Sequence, residues 1–181
     1  MTRISRLLMI GSVCRNSGKT ELACMVIREF HKKHKIIALK VSTHYTDDIH
    51  FHKNPFDGNY SIIKDTDKST DKNTARMLKA GASEVYWLRT KIEYIDVAIK
   101  EFLSNIGKNC FIVCESNSLR KVVHPGVFIM IDNNSEIKSS AIEVMGKADI
   151  IINSNGKDFF NFDISNIAIE NDKWILKNKN Q

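Results

Sequence analysis

The sequence predicts an α/β domain with a mostly parallel central sheet and helices on both faces. Three observations carry that expectation. Compact apolar runs of the buried-strand type recur along the chain, at Leu7–Ile10, Ile36–Val41, Val85–Leu88, Cys110–Cys114, Val127–Ile131 and Asp149–Ile152. Segments with apolar residues at helical spacing separate several of them, which favours crossover connections and parallel neighbours. The length, 181 residues, suits one core and leaves little room for two, so residues 1–181 are expected to form a single domain.

After the first strand, Leu22, Ala23, Val26, Ile27 and Phe30 share a face, so residues 19–33 read as an amphipathic helix. Lys32, Lys33 and Lys35 near its end complement the helix dipole. Residues 44–72 are polar and punctuated by Pro55 and Gly58, with only Tyr60–Lys64 resembling a strand. A stretch of that kind is expected to be a lid or short hairpin insertion. A short helix over 73–80 should stop at Gly81. Ile92, Ile95, Ile99, Phe102 and Ile106 mark the clearest amphipathic helix, and residues 136–146 suggest another. Ile167–Glu170 and Trp174–Leu176 flank Asn171-Asp172-Lys173, which predicts a C-terminal hairpin or edge strand, followed by a frayed tail over 177–181.

Composition narrows the function classes. The formal net charge is +6, yet no long like-charge run or aromatic-interleaved basic stripe accompanies it, so nucleic acid is an unlikely partner. Cys14, Cys24, Cys110 and Cys114 match neither a zinc pair nor a secreted disulfide framework; buried thiols and a cytoplasmic location are expected. The run Leu7–Ile10 is too short for a membrane span, and no membrane partner is expected.

Chemistry enters at residues 10–22, IGSVCRNSGKTEL. Gly18-Lys19-Thr20 has the ending of a nucleotide phosphate-binding loop: a glycine for close backbone approach, a lysine for the phosphates and a hydroxyl for Mg²⁺. The helix that begins here would add unpaired N–H groups and its dipole. The usual first glycine, five residues before Gly18, is Val13; Gly11 stands two residues earlier. The position between first strand and first helix favours a phosphate loop over a capped helix with an exposed lysine. The expected nucleotide contacts are Arg15, Asn16, Ser17, Gly18, Lys19, Thr20 and Glu21.

Ligands of open α/β sheets gather at the carboxyl ends of the strands. Glu115, directly after FIVC, stands where an acid could hold a magnesium-bound water or act as general base. Lys19 and Glu115 are therefore the catalytic candidates, and Thr20 and Glu115 the metal ligands. Lys40, His44 and Asn117 fall at other strand ends and are candidates to touch substrate or support the site. Asn153, after ADIII, could read the base or simply form a turn. His44, His50 and His52 with Asp47, Asp48, Asp65 and Asp67 could hold a further metal, but a solvated loop with scattered histidines is the favoured reading.

Several of these stretches together resemble the MobB family, the molybdopterin-guanine dinucleotide biosynthesis protein B group of P-loop NTPases. The resemblance rests on CRNSGKTEL, on LKVSTH at residues 39–44, on DKNTARMLKAGASEVY at 71–86 and on Cys114-Glu115. It covers about the first 130 residues. Asn73 replaces the family's usual aspartate, and Glu115-Ser116 its Glu-Gly turn. The resemblance implies a three-layer P-loop NTPase fold and a Mg²⁺-dependent protein binding GTP, with ATP the alternative nucleotide. It further implies a homodimer that assists a partner enzyme, in molybdenum cofactor biosynthesis for the family itself. No arginine finger is evident, and Arg15 is the nearest candidate. Two other readings stay open. One is an ATP-dependent kinase or a ligase similar to dethiobiotin synthetase, for which Lys40 would be the carboxylate-binding lysine. The other is a non-catalytic nucleotide sensor or partner subunit.

Overall fold

The computed structural model describes residues 1–14, 16–44 and 58–177. In chain order the elements are β1 (Thr2–Ser12), α1 (Lys19–Phe30), β2 (Ile36–His44), β3 (Tyr60–Asp65), α2 (Asn73–Lys79), β4 (Glu84–Lys91), α3 (Ile95–Asn105) and β5 (Phe111–Glu115). There follow β6 (Val123–Asp132), α4 (Ser139–Met145), β7 (Ile150–Ser154), β8 (Phe159–Phe160), β9 (Ile167–Glu170) and β10 (Lys173–Leu176). Single 3-10 turns occupy Ile92–Tyr94, Ser118–Lys121 and Ile164–Asn166.

Eight strands form one sheet in the order β3-β4-β2-β5-β1-β6-β7-β8. The six central strands are parallel, and the two outermost pairs are antiparallel. The apolar runs are explained by this arrangement. In β1, Leu7 and Met9 point to one face, Leu8 and Ile10 to the other, and all four are at most 1% exposed. A strand buried on both sides has no polar side chain to alternate with. On one face Ile95, Ala98, Ile99 and Phe102 of α3 and Ala141 and Val144 of α4 belong to the same buried core. On the other, Leu22, Val26 and Ile27 of α1 pack with Met77 of α2 and Trp174 of β10. The molecule thus has three layers. No helix among the described residues is long and apolar enough to cross a membrane.

Most expected elements are present, with shifted ends. α1 stops at Phe30, and α2 is followed by Gly81, whose φ of 108° is a left-handed value that favours glycine. β9 and β10 form the expected antiparallel hairpin, lying on the α1 face as a separate two-stranded sheet.

The stretch 44–72 and the tail differ from expectation only in part. The strand expected at Tyr60–Lys64 is present as β3, and it joins the edge of the central sheet, paired to β4; Ile62 and Tyr60 pack against the core and give it a reason to dock there. His44, expected at a strand end, closes β2. Residues 45–57, where a lid was expected, lie outside the described residues. The tail was expected to fray from residue 177, yet the Lys177 N–H donates to the Asn166 carbonyl at 2.8 Å and ties that residue down; residues 178–181 lie outside the described residues. The strand β8 had no expectation at all: two residues are too few to show a period.

Candidate nucleotide site

The carboxyl ends of β1, β2 and β5 meet at one place. β5 lies between the other two, with Ile10 and Lys40 both in register with Glu115. Beyond Ser12 the chain turns sharply into α1. Asn16 and Gly18 both take left-handed conformations, at φ 53° and 89°. Gly18 occupies the N-cap position, and no side chain caps the helix there. Among the described residues no side chain accepts from the N–H groups of the first turn, and a helix start of that kind attracts anions. A cavity of about 660 Å³ opens on this loop. Asn16, Ser17, Gly18, Lys19, Thr20 and Glu21 line it, so six of the seven loop residues expected to contact nucleotide are together. The seventh, Arg15, lies outside the described residues.

Lys19 and Glu115 share the cavity wall. The Lys19 ammonium donates to Ser12 Oγ at 2.8 Å. Burial lowers its pKa, opposed chiefly by the negative charge of Glu115. Glu115 is 4% exposed, and its Oε1 has no hydrogen-bond partner among the described residues. Burial raises its pKa, while the Thr20 hydroxyl and the charges of Lys40, Lys19 and Arg76 act the other way. Ser17 Oγ is likewise buried and unpartnered. Buried oxygens without a partner are uncommon in folded proteins, and these two belong to residues that line the cavity.

Asn117 is a tie within the fold. β5 ends at Glu115, so the Ser12 peptide has no strand beside it on that flank. The Asn117 carboxamide takes the strand's place: Oδ1 accepts from the Ser12 N–H at 2.9 Å, and Nδ2 donates to the Ser12 carbonyl at 2.9 Å. The side chain imitates a peptide group and continues the ladder for one more residue.

Asn153 is set apart from this group. It sits on β7 between Asp132 and Phe160 in register. Its neighbour Ile152 packs toward α1, so alternation turns Asn153 to the opposite face, where it is exposed. It lines neither cavity at the site; Gly156 and Lys157 of the following loop line the larger one instead. His44 stands opposite Lys91 at the end of β2. His50, His52, Asp47 and Asp48 lie outside the described residues. Asp65 accepts from the Thr74 hydroxyl, and Asp67 from Ser69, so both serve local turns. Among the described residues no three His, Cys, Asp or Glu side chains cluster as a metal site.

The structure adds residues that sequence reasoning did not place at the site. Asn73 and Arg76, one turn apart on α2, line the larger cavity, and Arg76 pairs with Glu21 at 2.5 Å. Lys138, just before α4, donates to Ser12 Oγ at 3.1 Å and the Cys14 carbonyl at 3.3 Å. The spacing of Asn73 and Arg76 was a readable signal; for Lys138 there was none. Comparisons with protein-family models, with curated proteins and with solved structures find no match for this chain.

Proposed function

We propose that the chain is a P-loop protein that binds a purine nucleoside triphosphate with Mg²⁺, GTP before ATP, and hydrolyses it. One observation carries the reading: an uncapped helix start, with left-handed Gly18 at its tip, faces a cavity walled by Lys19 and by a buried carboxylate with an unpartnered oxygen. Backbone N–H donors, a lysine charge and an acid at the next strand end are the parts that phosphoryl transfer uses.

The donor set suits Mg²⁺. The Thr20 hydroxyl and the Glu115 carboxylate are hard oxygen ligands, and Mg²⁺ commonly takes one or two carboxylates together with substrate phosphates. When bound, the ion would supply charge neutralisation at the phosphates. The chain's own groups do the rest. Lys19 would leave Ser12 Oγ for the β and γ oxygens. Glu115 would orient the attacking water from a dry position, where hydrogen bonds are stronger than in bulk. Arg76 would add a second positive charge from α2, once free of Glu21. Assembly as a homodimer, service to a partner enzyme and a place in molybdenum cofactor synthesis are supported by the MobB resemblance alone.

The test is calorimetric titration of the protein and of Lys19→Ala with non-hydrolysable GTP and ATP analogues in Mg²⁺. Loss of a charge-assisted contact should weaken binding by roughly 100-fold, with the circular dichroism spectrum unchanged. Absence of binding to the unmodified protein, or equal affinity in the variant, overturns the proposal. Single-turnover hydrolysis of radiolabelled GTP and ATP then separates an NTPase from a sensor.

A further inference from the structure

A second, smaller cavity of about 160 Å³ adjoins the same pair of residues: Lys19 and Glu115 line both spaces. Its other walls come from three directions. Lys40 projects from β2, Ser116 and Ser118 from the turn after β5, and Lys138 and Ser140 from the start of α4. Three ammonium groups thus surround one carboxylate. Lys138 is drawn in by Ser12 Oγ and the Cys14 carbonyl. Lys40 is half-buried and has no hydrogen bond or ion pair among the described residues. A surplus of positive charge in a small, partly buried space is costly unless an anion neutralises it.

We propose that this cavity is a second anion subsite, which takes a phosphate-class oxyanion beside the γ-phosphate of the nucleotide. The proposal rests on the nucleotide reading of the larger cavity and adds a second ligand to it. The donors identify the class. Ammonium and hydroxyl groups arriving from three sides match a tetrahedral oxyanion, whereas a flat carboxylate is best met by a planar guanidinium fork. The oxyanion has two sources of the same chemistry: phosphate just released from the nucleotide, or the head group of a phosphorylated second ligand.

The experiment loads the full chain with Mg²⁺ and a saturating non-hydrolysable triphosphate analogue, then titrates inorganic phosphate while following ³¹P line width and heat. Phosphate should bind to the loaded protein. Lys40→Ala should weaken phosphate about tenfold more than it weakens nucleotide, and Ser140→Ala, which removes only one hydroxyl, about threefold more. Failure of phosphate to bind the loaded protein, or indifference to both substitutions, overturns the subsite. Acetate binding as tightly as phosphate overturns the assigned class. If no nucleotide binds, while phosphate binding to the unloaded chain still depends on Lys40, the nucleotide reading falls and the subsite stands. Glycerol phosphate assigns the source: tighter binding than inorganic phosphate points to a head group, weaker binding to released phosphate.

Discussion

Asn117→Ala removes the carboxamide that substitutes for a strand beside Ser12. Both Ser12 backbone groups lose a 2.9 Å partner at once. Ser12 is fully buried and Asn117 8% exposed, so water reaches the gap poorly. An unsatisfied buried backbone group costs about 1–3 kcal/mol. Two of them, partly relaxed, give an expected loss of about 2–4 kcal/mol. For a domain of this size that is a fall in melting temperature of roughly 5–15 °C. Urea denaturation followed by circular dichroism measures the free energy directly, and thermal melting checks it. Asn117→Asp refines the test. It retains the acceptor for the Ser12 N–H but sets an oxygen against the Ser12 carbonyl, so at pH 7 it should be at least as harmful as alanine. A loss below about 1 kcal/mol for alanine, or an aspartate variant as stable as the original, would refute the peptide-mimic argument.

Other expectations follow from the same geometry. Gly18→Ala forces a side chain into a left-handed conformation and brings its Cβ to 3.1 Å from the Gly156 carbonyl. It should cost about 1–2 kcal/mol and weaken nucleotide binding, checked by denaturation and calorimetry on one preparation. Trp174→Ala empties a fully buried site packed edge-on by Phe30 and Phe111, with an expected loss of about 3–5 kcal/mol in denaturant unfolding. Glu84 accepts from Lys64 and Tyr86 and pairs with Lys35, and these contacts hold its pKa down at about 2 from an ordinary 4.5. The folded state thus binds this proton more weakly than the unfolded chain. Its stabilisation is complete above about pH 4.5 and disappears as the pH falls toward 2. The lysine partners are half-exposed, so solvent screening reduces the contribution to about 1 kcal/mol. Glu84→Gln should show that deficit at pH 7 and none near pH 2, in denaturation curves at both values.

The legible parts of the sequence were those with a period or a fixed local geometry. Leu7–Ile10 and the CFIVC run announced strands buried on both faces, and Ile95, Ile99 and Phe102 announced the face of α3. Gly18-Lys19-Thr20 and Glu115 could be placed together because a strand–loop–helix order and a later strand end converge in a parallel sheet. Other features depended on contacts between distant segments. Asn117 read as a candidate to touch substrate or support the site, and its tie to Ser12 was not legible because the two lie 105 positions apart. Lys138 reaches Ser12 across 126 positions and carries no local mark. Asn153 looked well placed at a strand end, but the side of β7 on which it stands depends on pairing with β6, which no local pattern specifies.

Trp174 also bears on the order in which the molecule is made. It is 1% exposed and completes the layer over α1, where it meets residues that precede it by more than 60 and more than 140 positions. During synthesis the sheet and α1 emerge first, with that side of α1 uncovered. Until β10 leaves the ribosome, Phe30 and Phe111 present an adhesive apolar surface to any chaperone or neighbouring nascent chain.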